Sequence, residues 1–91
     1  MVKQYRLKYT KQARKDLQAC DRAVARRILN KLDDNVTLPD PLQRAKVLTG
    51  KLSGKYRYRI GDYRAIFKIT DEGQIILLSI LSVSHRKDVY R

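Results

Sequence analysis

The chain is short of the residues on which most enzymes build their chemistry. Its 91 residues hold one cysteine, Cys20, one histidine, His85, and one glutamate, Glu72. A zinc cluster and a disulfide framework within one chain are therefore excluded. The remaining acids are aspartates, most of them where turns and helix starts want them: Asp21 before a helical pattern, Asp40 between Pro39 and Pro41, Asp62 and Asp71 in turn sequences. They form no carboxylate pair of the kind metal-dependent hydrolysis uses, so no cofactor or metal is expected. Long hydrophobic runs are missing too. No stretch approaches the roughly 20 apolar residues of a spanning helix, so no membrane partner is expected. A single cysteine and no targeting segment fit a reducing, cytoplasmic setting.

Positive charge is what the chain has in excess. Lys and Arg total 21 against 9 acids, a net charge of +12 and a pI near 10.2. Such an imbalance costs stability through self-repulsion and points to a polyanionic partner. Apolar residues make up 43%, enough for the core of one domain spanning residues 1–91.

Residues 2–9 alternate apolar and basic side chains and predict an opening strand. Thr10 is placed to cap a helix carrying Ala13, Leu17 and Cys20 on one face, and Asp21 to cap a second with Val24, Ala25, Ile28, Leu29, Leu32 and Val36 at helical spacing. Pro39 and Pro41 end that helix in a linker over residues 37–42. Strand patterns follow at residues 56–60, 63–70 and 74–84, the last apolar on both faces and so central. The order β-α-α-β-β-β predicts an α+β fold, two N-terminal helices packed on one face of a small twisted, mainly antiparallel sheet.

The stretch KYRYRIGDYR, residues 55–64, carries the strongest signal. Read as a hairpin on the two-residue loop Gly61-Asp62, it puts Arg59 opposite Arg64, Arg57 opposite Ile66 and Tyr58 opposite Ala65. Tyr56, Tyr58, Ile60, Tyr63, Ala65, Phe67 and Ile69 then share one face; Lys55, Arg57, Arg59, Arg64 and Lys68 share the other. Like charges directly opposite cost about 0.2–1 kcal/mol. A bound anion converts that cost into attraction, and arginine suits bidentate capture of phosphate oxygens. The bland alternative is a solvated basic face. Residues 50–55 superficially look like a phosphate-binding loop, but the spacing is one residue short and Tyr56 stands where a Ser or Thr is needed. The ending SHRKDVYR adds His85, Arg86, Lys87 and Tyr90, with His85 the group whose ordinary pKa permits proton transfer near neutrality.

These residues together resemble the RelE/ParE toxin superfamily, in its RelE branch. The run G-x-x-x-G-x-Y-R-x-R-x-G-D-Y-R is met by Gly50, Gly54, Tyr56, Arg57, Arg59, Gly61, Asp62, Tyr63 and Arg64; H-R-x-D-[VI]-Y is met by His85, Arg86, Asp88, Val89 and Tyr90. The resemblance spans essentially the whole chain. It implies a microbial-ribonuclease-like fold and the toxin of a type II toxin–antitoxin pair, entering the ribosomal A site to cut mRNA without a metal by attack of the ribose 2′-OH on the adjacent phosphate. It also implies partners: mRNA, ribosomal RNA and a cognate acidic antitoxin. By position, Arg57, Arg59 and Arg64 match the family's basic catalytic face, Tyr90 its terminal tyrosine, and His85 and Arg86 the region that supplies a further basic group. Arg44, Lys46, Lys51, Lys55, Lys68 and Lys87 suit contacts to the RNA backbone. Lysines stand at Arg57 and Arg59 in the best-known members. Because arginine holds its proton too tightly to act easily as a base, the base is either His85 or is dispensed with in favour of orientation and charge. Two other functions fit the same scaffold: a ParE-like toxin acting on DNA gyrase, and a non-catalytic ribosome- or RNA-binding module.

Overall fold

The structure, a computed structural model, describes residues 3–86. A five-stranded sheet carries two helices on one face. In chain order the elements are β1 (Gln4–Tyr9), α1 (Lys11–Gln18), α2 (Arg22–Val36), β2 (Ala45–Val47), β3 (Tyr56–Ile60), β4 (Tyr63–Asp71) and β5 (Ile75–His85). In space the strands run β1-β5-β4-β3-β2, with β1 parallel to β5 and every other pair antiparallel. The α+β class, the helix pair on one face and the internal place of β5 are as expected. β2 is an addition: three residues carry no periodicity to read, and they form a strand by pairing Ala45 with Tyr58 and Val47 with Tyr56. No helix among the described residues is long and apolar enough to cross a membrane.

Local chemistry explains the helix ends. The Thr10 hydroxyl accepts from the Ala13 N–H, closing the start of α1. Asp21 occupies the corresponding position of α2 without a side-chain cap bond. α2 ends at Val36, two residues short of the one preceding Pro39, whose backbone a following proline pushes out of the helical region.

Ala13, Leu17, Ile28 and Leu32 from the helices close over Tyr58, Ile60, Ala65, Phe67, Leu78, Ile80 and Val83 from the sheet, all buried. Tyr58 and Phe67 stack with ring centroids 4.5 Å apart. The Tyr58 hydroxyl donates to the Pro41 carbonyl, so the proline linker is tied to the core. Burial, aided by Asp40, pushes the Tyr58 phenol up to about 12, and burial with nearby Asp33 does the same for Tyr9.

β5 contains the irregularity that matters most. Ile66 pairs with Ser82 but Phe67 with Ile80, so Leu81 is an extra residue, a bulge. Before it, Ile76, Leu78 and Ile80 face the helices; after it, Val83 does. The bulge thereby turns Ser82 and Ser84 onto the outer face, beside Ile66 and Arg64.

Candidate anion-binding site

The β3–β4 hairpin has the predicted register throughout: Tyr56 with Phe67, Arg57 with Ile66, Tyr58 with Ala65, Arg59 with Arg64 and Ile60 with Tyr63. Its loop is Gly61-Asp62, with Gly61 at φ 58° and no non-glycine residue at positive φ among the described residues. That is the pattern of a II′ turn, in which the first central position demands glycine. So tight a turn leaves no slack, and Arg59 and Arg64 emerge together on the outer face.

β5 brings the third cation. Its last residue, His85, pairs with Tyr63, and the next backbone N–H, that of Arg86, donates to the Asp62 carbonyl at 2.6 Å. The strand end is thus latched to the turn. A hollow opens there, walled by Arg59, Gly61, Asp62, Tyr63, Arg64 and Arg86. Ser84, across from Arg64, is small enough to leave the guanidinium room. No carboxylate among the described residues forms a salt bridge with these arginines; the salt bridge found there joins Lys3 and Asp71. Three guanidinium groups offer up to fifteen N–H donors around one hollow, a set that suits the oxygens of a phosphate group (about five donors each).

The other candidate residues fall in different places. Arg57 shares the outer face, about 6–7 Å further along β3, and is not in the wall of the hollow. Lys46 is its partner on β2, and Lys68 continues the same face on β4. Lys51 is exposed in a single 3-10 turn at Gly50–Leu52, and Lys55 is half-buried just after it. Arg44 turns toward the helices instead, its Nη1 donating to the Asn35 Oδ1 at 3.4 Å. Lys87 and Tyr90 lie outside the described residues.

His85 lies apart from the arginine hollow. Its pairing with Tyr63 puts it on the helix face, where the two rings meet edge-on at 4.9 Å, and it lines a separate hollow with Asp16, Cys20 and Asp21. The physical reason is the bulge: after Leu81 odd-numbered residues of β5 turn inward, so the histidine and Arg59 and Arg64 look out of opposite sides of the sheet. Burial, with Asp16 and Asp21 nearby, raises the Cys20 thiol above its ordinary value, which leaves it a poor nucleophile. Among the described residues no group of three His, Cys, Asp or Glu side chains could hold a metal ion.

Two residues went unnoticed in the sequence. A Cβ built on Gly61 would sit 3.5 Å from Nη2 of Arg27, so α2 brings a further guanidinium to the turn. Asp16 of α1 accepts the Val83 N–H at 2.9 Å. Both contacts depend on how the helices dock, and nothing in the local pattern signals them.

Comparison with known proteins identifies relatives of the chain and of its fold. A family model described as the ParE toxin of the type II toxin–antitoxin system parDE matches residues 7–90. Toxin RelG of Mycobacterium tuberculosis (strain ATCC 25618 / H37Rv) is 31% identical over 87 residues, covering 96% of this chain and 97% of that protein. Among solved structures, the toxin–antitoxin complex RelBE2 from Mycobacterium tuberculosis matches with a TM-score of 0.75 at 30% identity over 94% of both chains. The archaeal RelE–RelB complex from Pyrococcus horikoshii OT3 matches with a TM-score of 0.64 at 32% identity, over 91% of this chain and 96% of that one.

Proposed function

The chain belongs to the ParE toxin family of type II toxin–antitoxin systems, in the RelE branch of the RelE/ParE superfamily, and from that premise we propose that it is a ribosome-dependent mRNA endonuclease. The convergence of Arg59, Arg64 and Arg86 on one hollow beside the Gly61-Asp62 turn is the observation that carries this reading. The ribose 2′-OH attacks the adjacent phosphorus, the P–O5′ bond breaks, and a 2′,3′-cyclic phosphate and a 5′-OH remain. The extra negative charge of the pentacovalent transition state falls on the non-bridging oxygens, where guanidinium donors stabilise it most. Arg57, Lys46 and Lys68 extend the same face and hold the RNA backbone on either side.

With His85 on the helix face, no histidine stands at the hollow among the described residues; the carboxylate in its wall is that of Asp62, and a carboxylate is a weaker base than imidazole. Catalysis then rests on in-line orientation and charge: the 2′-OH proton passes to water or to a ribosomal group, and the leaving O5′ takes one up in return. The expected partner is a cognate antitoxin, since the RelBE2 and archaeal RelE–RelB structures that this chain resembles are toxin–antitoxin complexes. An acidic segment folding over the basic outer face satisfies the +12 charge, and such a complex is tight at low salt and weakens as salt rises. The work is placed in the cytoplasm, where translating ribosomes are.

A second reading has one observation in its favour: the matching family model bears the name ParE. On that reading the target is DNA gyrase and RNA is left intact. Primer extension on translated mRNA, run beside a gyrase supercoiling assay, tests both. Cleavage inside reading frames that disappears in Arg64→Ala supports the nuclease; supercoiling inhibition without cleavage overturns it.

A further inference from the structure

β5 has a neighbour on its β1 side for only half its length. β1 runs beside Ile75 to Ile80 and ends at Tyr9. Beyond that point, α1 stands in for a strand. The Thr10 hydroxyl donates to the Leu81 carbonyl at 2.9 Å, on the bulged residue itself, and Asp16 Oδ2 accepts the Val83 N–H at 2.9 Å. The other carboxylate oxygen of Asp16 accepts from Gln12 Nε2 at 2.8 Å. Three residues after Val83, the Arg86 N–H is latched to Asp62. β4 pairs with this stretch on one flank, and on the other a side chain of α1 makes the bond to Val83, three residues before the Arg86 that reaches the hollow.

Asp16 is poorly placed for the helix it sits on. α1 ends at Gln18, so the carboxylate lies in the last turn, at the negative end of the helix dipole, where an acid is unfavourable. In a chain of +12 it also forms no salt bridge with any lysine or arginine among the described residues. Its recorded bonds go to a backbone amide of β5 and to the glutamine that orients it. A charge-assisted bond to a backbone N–H is stronger than a neutral one, and a bulged strand end with an open flank is where a sheet frays first.

We propose that Asp16 is a positioning residue for the anion site, acting through Arg86: it holds the end of β5 so that the Arg86 guanidinium meets those of Arg59 and Arg64 over one phosphate. The inference rests on the nuclease reading above. It is tested by single-turnover mRNA cleavage on programmed ribosomes with wild type, Asp16→Ala, Asp16→Asn, Arg86→Ala and the double variant Asp16→Ala/Arg86→Ala. Each is assayed at a temperature where circular dichroism finds it folded.

Asp16→Ala is expected to lower the rate at saturation about 10- to 100-fold, the scale of a sub-ångström to 1 Å misplacement, while the half-saturating concentration moves less than about threefold. Asp16→Asn keeps an acceptor for Val83, and the Gln12 amide can flip to meet its new N–H, so this variant stays within about threefold of wild type. With Arg86 already gone, Asp16→Ala costs less than about twofold more, the non-additivity of residues that act as one unit. Equal losses in the two backgrounds, or no loss in Asp16→Ala, overturn the inference while leaving the nuclease reading intact. A wild type that cuts nothing overturns that reading and the inference with it. Should Asp16→Ala not fold, Asp16→Glu, which keeps the charge but moves it by one methylene, carries the same comparison.

Discussion

The two ends of the sheet treat charge in opposite ways. At one end, the β4–β5 turn, Asp71 accepts from the Gly73 N–H at 3.0 Å and from Lys3 Nζ at 2.7 Å, an acid matched to a base on the neighbouring strand β1's approach. The Lys3 bond, then the Gly73 N–H, holds the Asp71 carboxyl below the usual range. At the other end, the β3–β4 turn, Arg59 faces Arg64 directly and Arg86 is drawn in by a backbone latch, with no carboxylate bonded to any of the three among the described residues. The first end is arranged as a folded protein alone would arrange it. The second carries an electrostatic penalty that a bound anion would relieve. On the function proposed above, local charge is matched at the end away from the RNA and left unmatched at the end that meets it.

That contrast can be broken most sharply at Arg64. Arg64→Ala is expected to lower cleavage of translated mRNA about 10²- to 10³-fold, the usual effect of removing one donor to a transition-state oxyanion. The same change should leave stability unaltered or raise it by about 0.2–1 kcal/mol, because it relieves the opposition with Arg59. Urea denaturation beside the cleavage assay checks both; a large loss of stability would mean that the arginine is structural.

Gly61→Ala comes next. At φ 58° a Cβ is strained by about 1–2 kcal/mol, although it would meet Arg27 only at ordinary contact distance, so the midpoint of urea unfolding should fall and the hairpin latch should loosen. An unchanged midpoint would show that the turn is not held as described.

A smaller effect is expected in alkali. Tyr9 and Tyr58 have folded-state values pushed up to about 12 against an ordinary value of 10, so the unfolded chain gives up these protons first. Their contribution is whole below pH 10 and is lost as pH rises from 10 to 12. Unfolding midpoints across that window should fall in the wild type and fall less in Tyr9→Phe. The smallest effect belongs to the matched end. Lys3→Ala should lower stability slightly at neutral pH, and the difference from wild type should fade below the ordinary carboxylate range as Asp71 takes up its proton. A Lys3→Ala effect as large as that of Gly61→Ala would erase the contrast.

What could be read in advance follows the same division. The hairpin register was legible because a two-residue Gly-Asp loop admits one pairing, and alternating tyrosine and arginine then sort themselves onto two faces. The class of the fold was legible for a similar reason: two helical stripes precede three strand patterns, one of them apolar on both sides. The bulge at Leu81 was not, since a continuous apolar run gives no sign of where its alternation slips. That single residue decides that Arg86, rather than His85, joins Arg59 and Arg64. Arg27 and Asp16 were hidden for another reason: each reaches its partner only after a helix has docked on the sheet.

The most direct test is an NMR titration of the free protein with a short 2′-O-methyl RNA, which cannot be cut, followed through the guanidinium Nε–Hε signals of the arginines. Arg59, Arg64 and Arg86 should shift together with one saturation curve, while the amides of Lys3, Asp71 and Gly73 stay where they are. Shifts scattered over all the arginines, or centred away from the Gly61-Asp62 turn, would contradict a phosphate site at that end of the sheet.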